Sequence, residues 1–356
     1  MLEIRCSGTP YEIGFTHGQL AKEKISGSID FYKQLFWESC SMTWAEVLQE
    51  AAKYHDILKK IAARYLVEIG GIADGAHIPF LDILALNIRS EITFGLFSDT
   101  SNGITDIPSD GCTSLGWLAR SKSFVGQNWD WRIEQGPNLI ICYISHPDTE
   151  IPDIAMVTEA GIIGKIGLNS KGVGCCLNAI RCHGLDRSKL PIHFALRAVL
   201  ESGSREEAVK LIKSSGVAGG GHILVGDATG SVGLECTSRW VKELSMDDNG
   251  RVCHTNHLLL DKSGIDEPLW LEDSPWRLSR IRELATKISE PTLDTIFEIF
   301  KDTKDYPASI NRKQEVDSKA QTLFTIVMDL TSRYAQVTVG RPTEYSERRF
   351  LRFVDG

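Results

Sequence analysis

The order of helix-like and strand-like stretches in this chain predicts an α+β fold built in layers, on three observations. The first hundred residues are helical in character, and the middle of the chain is a succession of short, β-rich runs punctuated by glycine. Several of those runs are joined by direct hairpins rather than by crossover helices, which excludes a βαβ repeat. No linker, internal repeat or low-complexity tract breaks the 356 residues, so a single domain is expected.

Taken in order, Thr43-Trp44-Ala45-Glu46 has the spacing of a capping box. Beyond it Val47, Leu48, Ala51, Leu58, Ile61, Ala62, Tyr65, Leu66 and Ile69 recur at three- and four-residue steps, predicting one helix that Gly70-Gly71 stops. Leu81, Leu84, Leu86, Ile88 and Ile92 predict a second helix over 80–96. Residues 98–110 are small and polar with Gly103 and Pro108, as a surface loop should be. Thr113 to Leu118 and Phe124 to Trp131 flank a polar turn and read as a hairpin. Strands are expected at 139–144, 154–157, 161–168 and 172–177, then helices near 191–201 and 205–214. Strands at 222–226 and 233–236, helical character over 274–302, and final strands at 322–329 and 334–339 complete the pattern.

With 42% hydrophobic and 24% charged residues the composition is that of an ordinary globular protein. A net charge of −8 with no basic run argues against nucleic acid as a partner. The N-terminus lacks a basic region followed by an apolar core, and no stretch of 18 uncharged apolar residues exists, so neither a signal peptide nor a membrane span is expected. Nine scattered cysteines, including the neighbours Cys175 and Cys176, read as reduced thiols in a cytoplasmic protein.

The dipeptide Gly111-Cys112 stands where the polar loop meets the first strand of the hairpin. A cut before Cys112 would put thiol and α-amine on one residue. An amine with a free pKa near ~8 can take the thiol proton, so nucleophile and base need no separate histidine. That is the logic of an N-terminal nucleophile made as an inactive precursor. The competing reading is a cysteine that serves as a small buried hydrophobe.

Further stretches surround this dipeptide with a pattern. They are Gly8-Thr9-Pro10-Tyr11-Glu12-Ile13-Gly14, Asp110-Gly111-Cys112-Thr113, Gly126-Gln127-Asn128-Trp129-Asp130 and Thr158-Glu159-Ala160-Gly161-Ile162-Ile163-Gly164-Lys165. His254-Thr255-Asn256-His257, Thr322-Leu323-Phe324 and Gly340-Arg341-Pro342 continue it, in order along nearly the whole chain. In these stretches the sequence resembles the isopenicillin N acyltransferase family of N-terminal-nucleophile enzymes. The resemblance implies an αββα sandwich, self-cleaved into an α-chain, 1–111, and a β-chain beginning at Cys112 and running to 356, which stay associated. It also implies acyl-coenzyme A as co-substrate with no bound cofactor, and a β-lactam, 6-aminopenicillanic acid, as acyl acceptor. Exchange or hydrolysis of the isopenicillin N side chain would use the same thiol.

Each residue in the pattern has a chemical role to fill. Asp130, on the partner strand of the hairpin, is placed to hold the α-ammonium of Cys112 or to meet a substrate amine. Asn256, at a strand end, is a candidate oxyanion donor, and Asn178 a weaker one near the same pocket. His254 and His257 lack further ligands at metal spacing and are read as structural, so no metal is expected. Ser318 and Lys319 occupy positions where the family pattern has a Ser-Arg pair that the resemblance assigns to substrate binding. Lys319 departs from it, because a lysine cannot form the bidentate fork that a guanidinium offers a carboxylate. The C-terminus also lacks a Ser-Lys-Leu type peroxisomal address, which points to a paralogue. Two alternatives stay open: an amidohydrolase of the same mechanism acting on N-acyl amides or peptides, and an unprocessed, non-catalytic paralogue.

Overall fold

The structure is a computed structural model that describes residues 1–96, 111–268, 270–315 and 318–353. The loop expected over 98–110 lies outside the described residues, as does the extreme C-terminus. The chain begins with β1 (Leu2–Ser7), then α1 (Pro10–Cys40), α2 (Trp44–Ile61), α3 (Ala63–Ala76), α4 (Phe80–Asn87) and α5 (Arg89–Gly95). The hairpin β2 (Gly111–Ala119) and β3 (Lys122–Trp131) follows, then a 3-10 turn over Ile133–Asn138. Next come β4 (Leu139–Ser145), β5 (Ile154–Glu159), β6 (Ile166–Asn169), β7 (Gly174–Ala179), α6 (Ile192–Leu200) and α7 (Arg205–Ser215). The remainder is β8 (Gly221–Asp227), β9 (Gly230–Cys236), β10 (Val241–Leu244), β11 (Arg251–His254), α8 (Ser274–Thr286), α9 (Leu293–Phe300), β12 (Gln321–Asp329), β13 (Tyr334–Val339) and β14 (Glu347–Arg352).

Among the described residues the strands form an eight-stranded sheet, β1-β4-β5-β6-β7-β8-β9-β10, and a six-stranded sheet, β11-β2-β3-β12-β13-β14. Of these strands β1 and β4 pair in parallel, and the other ladders are antiparallel. The sheets pack face to face. Gln127 of β3 crosses between them, accepting from the Leu177 N–H at 3.1 Å and donating to the Leu177 carbonyl. Helices α6 and α7 cover β7 and β8, while α8 and α9 cover β2, β3 and β12. The layers therefore run α, β, β, α, as the resemblance implies, and the α+β expectation holds.

Three local expectations are corrected. The helix predicted to stop at Gly70-Gly71 is two helices broken at Ala62, and α3 continues through both glycines to Ala76. Of the two, Gly71 belongs to a helix crossing with α1. A Cβ on Gly71 would lie 2.2 Å from the Tyr11 carbonyl oxygen, and one on Gly14 of α1 would lie 1.9 Å from the Glu68 carbonyl oxygen. The second helix, expected over 80–96, is split at Ile88 into α4 and α5. The strand expected over 161–168 begins at Ile166, because Gly161 takes a φ of +92° and turns the chain first. All nine cysteines are buried and unbridged. Among the described residues no helix is long and apolar enough to cross a membrane.

Candidate active site around Cys112

The hairpin register sets the geometry. Gly111 lies opposite Asp130 and Cys112 opposite Trp129 at the edge of the layer between the two sheets. Cys112 is buried, and its backbone is gripped from both sides. Its N–H donates to Asn256 Oδ1 at 2.8 Å, and its carbonyl accepts from Arg277 Nη1 at 2.8 Å. Arg277 also donates from Nη1 to Thr113 Oγ1 at 3.0 Å and from Nη2 to Asn256 Oδ1 at 2.9 Å. Asn256 Nδ2 donates to the Ala179 carbonyl at 3.0 Å, and the Asn256 N–H donates to Ser274 Oγ at 2.8 Å. Two donors on one oxygen fix the amide orientation. The side chain thus shows its oxygen to the Cys112 backbone, and one N–H of Nδ2 is engaged by Ala179.

Charges of alternating sign extend from this grip. Arg277 Nε donates to Asp273 Oδ2 at 2.6 Å, Arg312 Nη2 donates to the same oxygen, and Arg312 Nε faces Asp130 Oδ2 at 3.5 Å. Asp130 Oδ1 accepts from Thr322 Oγ1 at 2.6 Å, and its Oδ2 has no hydrogen bond among the described residues. Burial pushes the Asp130 carboxyl up to about 6, against the pull of Arg312 and Arg277. Burial would raise Asp273 too, but Arg277 and Arg312 beside it bring it below its ordinary value. Gly111 fits tightly here: a Cβ would stand 2.6 Å from Arg312 Nε and 2.8 Å from Asp130 Oδ2.

On the thiol side, a small cavity of about 10 Å³ borders Cys112, with Arg89, Ser90, Phe94, Trp129, Ala179 and Gly220 among its walls. Behind Trp129 lies a buried cluster in which Glu159 accepts from Arg89, Lys165 and Tyr32. Burial alone would raise the Glu159 carboxyl, yet Arg89 and Lys165 hold it well below the carboxylate range. The Lys165 ammonium sits 3.6 Å above the centre of the Trp129 ring, a cation–π contact that stiffens this wall.

The structure thus brings Gly111, Cys112, Asp130 and Asn256 together. Asn178 is one step removed, accepting from Ser114 Oγ at 2.7 Å and hydrogen-bonded to His222 Nδ1 at 2.9 Å. His254 binds Glu235 Oε1 through Nε2 at 2.9 Å and His257 binds Ser274 Oγ at 2.7 Å, both as structural partners. Ser318 is buried, its hydroxyl donating to the Ala320 carbonyl at 3.3 Å. Lys319 is exposed, its charge felt by Glu38 of α1, and it does not line the Cys112 cavity. Arg277, Asp273 and Arg312 are functional candidates that the sequence reading missed. Asp273 and Arg277, four apart across the start of α8, were the one local signal, and such pairs are common on helix surfaces.

Comparison with known proteins identifies the family. The profile of the family described as acyl-coenzyme A:6-aminopenicillanic acid acyl-transferase matches residues 117–344. A curated relative from Emericella nidulans, the acyl-coenzyme A:6-aminopenicillanic-acid-acyltransferase 40 kDa form, is 38% identical over 99% of this chain and 96% of its own length. Among solved structures, a mutant of conjugated bile acid hydrolase from Clostridium perfringens is 15% identical, covering 67% of this chain and 92% of that one with a TM-score of 0.48. Penicillin V acylase from Agrobacterium tumefaciens is 16% identical over 64% of this chain and 83% of that one, with a TM-score of 0.40. The extent of the profile match and the identity to the Emericella protein show that this chain is an enzyme of the acyl-coenzyme A:6-aminopenicillanic acid acyl-transferase family.

Proposed function

We propose that the chain is made as a precursor that cleaves itself between Gly111 and Cys112 and then works as an N-terminal-cysteine acyltransferase. The observation that carries this reading is the two-sided hold on Cys112, with Asn256 on its N–H and Arg277 on its carbonyl, beside a glycine that leaves no room for a side chain. In the cleavage step the Cys112 thiol adds to the Gly111 carbonyl carbon. The Cys112 nitrogen leaves with the thiol proton, and water opens the resulting thioester to a Gly111 carboxylate. The freed α-amine inherits the Asn256 Oδ1 contact and gains Asp130 as a charged neighbour.

In turnover the α-amine takes the thiol proton, and the thiolate attacks the thioester carbonyl of an acyl-coenzyme A. Coenzyme A departs as its thiol with that proton. The acceptor amine of 6-aminopenicillanic acid then attacks the acyl-cysteine, forming the amide and restoring the thiol. The second N–H of Asn256 Nδ2 is the proposed oxyanion donor, with Asn178 the weaker candidate near the same pocket, and Asp130 meets the incoming amine. Ser318 and Lys319 serve the acceptor carboxylate. Isopenicillin N enters the same cycle when its side-chain amide, rather than a coenzyme A thioester, supplies the acyl group. A cytoplasmic location belongs to this reading, supported by nine unbridged thiols.

The test is purified protein assayed with a panel of acyl-coenzyme A donors and 6-aminopenicillanic acid, with hydrolysis followed in parallel. Amide formation faster than acyl hydrolysis supports transfer. Hydrolysis alone assigns the chain to the amidohydrolases, and absence of both with one uncut chain assigns it to the non-catalytic paralogues.

A further inference from the structure

Buried polar atoms without a hydrogen bond cluster at one end of the six-stranded sheet. Asp130 Oδ2, Trp131 Nε1, Arg132 Nε, Arg132 Nη2 and Arg312 Nε are all of this kind, from three consecutive residues of one strand end and the arginine beside them. Unpaired guanidinium nitrogens are uncommon in a protein interior, because burying a charged donor without an acceptor is costly. Arg132 is the clearest case. Its Nη1 donates to Glu38 of α1, which anchors the side chain, while the opposite edge made by Nε and Nη2 has no hydrogen bond among the described residues. That edge is the fork by which a guanidinium grips a carboxylate with two parallel hydrogen bonds.

The surroundings are those of a small-molecule site. Arg132 lines a groove of about 410 Å³, bounded by Asp30, Phe31 and Gln34 of α1 and by Glu134 and Asn138 after β3. That volume is within the usual range for ligand pockets. The two acidic residues are exposed to solvent, which screens them, whereas the Arg132 side chain is only 11% exposed. Register ties the groove to the reaction centre: Gln321 pairs with Trp131 and Thr322 with Asp130, so Arg132 leaves β3 at the end of the ladder where Ser318, Lys319 and Ala320 lead into β12. At ~3.3 Å per residue, Arg132 lies roughly 6.6 Å along the strand from Asp130. Arg132 and Lys319 both act on the same Glu38 carboxylate.

We infer that Arg132 is a specificity-determining residue that, together with Lys319, holds the carboxylate of the acyl acceptor. In this chain the fork that a lysine at 319 cannot supply comes from the neighbouring strand end. The inference rests on the reading that acyl transfer occurs at Cys112, and it concerns the same site.

The experiment compares wild type, Arg132→Lys, Arg132→Met and the double variant Arg132→Met with Lys319→Arg. Acceptors are 6-aminopenicillanic acid and its methyl ester, which has the amine and lacks the charge. Arg132→Met is expected to raise KM for the acid tenfold or more, with kcat within about twofold and KM for the ester unchanged. Arg132→Lys, which keeps a cation for Glu38, is expected to fall between, and Lys319→Arg to restore much of the loss. A KM rise shared equally by acid and ester, or no change in either, overturns the assignment. Intact mass and Tm of each variant report folding and processing independently. Should wild type transfer no acyl group, the acyltransferase reading is what fails. Calorimetric titration of acid against ester on the four proteins then decides the Arg132 assignment alone, with equal affinities for acid and ester in wild type refuting it.

Discussion

Replacing Gly111 with alanine tests the geometry of the cleavage step through one methyl group. The new Cβ would be placed 2.6 Å from Arg312 Nε, 2.8 Å from Asp130 Oδ2 and 3.1 Å from Arg312 Cζ. Neither neighbour can yield cheaply. Asp130 is tied by Thr322 at 2.6 Å, and Arg312 is tied by Asp273 at its far end. The strand pair must therefore open, or the peptide before Cys112 must shift away from the thiol. Overpacking of this kind costs about 1–3 kcal/mol. Spent on the barrier to self-cleavage, that is roughly a tenfold to hundredfold slowing. Gly136→Ala is the control, since its Cβ meets nothing nearer than Leu323 Cδ2 at 3.8 Å. The assay is intact-mass analysis of freshly made protein over time, with Tm recorded for each precursor. Cleavage of Gly111→Ala as fast as wild type, in a protein equally stable, would refute the claim that this crowded contact aligns the scissile bond.

Asn256→Ala strips an acceptor from both the Cys112 N–H and Arg277 and a donor from Ala179, so acyl transfer should fall ~10²-fold or more; unchanged turnover would leave Asn256 only a packing role. The carboxyl of Asp130 titrates near 6 in the fold against an ordinary 3.8, so the fold favours its protonated form. Its contribution to stability is complete below about 4 and is lost as pH rises through 6. In a Cys112→Ala background, which blocks cleavage, Asp130→Asn should flatten the Tm-against-pH curve across that window, and parallel curves would contradict the assignment. Gly70→Ala, with nothing within 4 Å of its Cβ, should stabilise α3 by about 0.5–1 kcal/mol, whereas Gly71→Ala should destabilise because its Cβ meets the Tyr11 carbonyl at 2.2 Å. Urea midpoints for the two variants decide this, and equal midpoints would undo the helix-crossing explanation.

What the sequence revealed follows the range of the interactions involved. The hairpin that carries Cys112 and Asp130 was legible because it is local: a polar turn between two β-rich runs pairs residues 111 to 131 whatever surrounds them. Asn256 was legible through the resemblance, within the run His254-Thr255-Asn256-His257. Arg277 and Arg312 were not, because they reach Cys112 and Asp130 from 165 and 182 positions away along the chain. The strands β1, β10, β11 and β14 escaped notice for a different reason. All four are sheet edges, and sequences such as Glu347-Arg348-Arg349 carry the charge that protects an edge rather than the apolar alternation of a core strand. Gly70-Gly71 misled because glycine ends a helix in isolation, whereas here α3 runs through both and Gly71 gives α1 the space to cross closely.

The central claim is that Gly111-Cys112 is a bond the protein breaks for itself, and the mass of the purified chain tests it most directly. The account predicts two fragments summing to the 39.5 kDa precursor plus one water, the larger beginning at Cys112 by N-terminal sequencing, and a single uncut chain for Cys112→Ala. Efficient cleavage of the alanine variant, or a wild-type protein that turns over substrate as one intact chain, would contradict it.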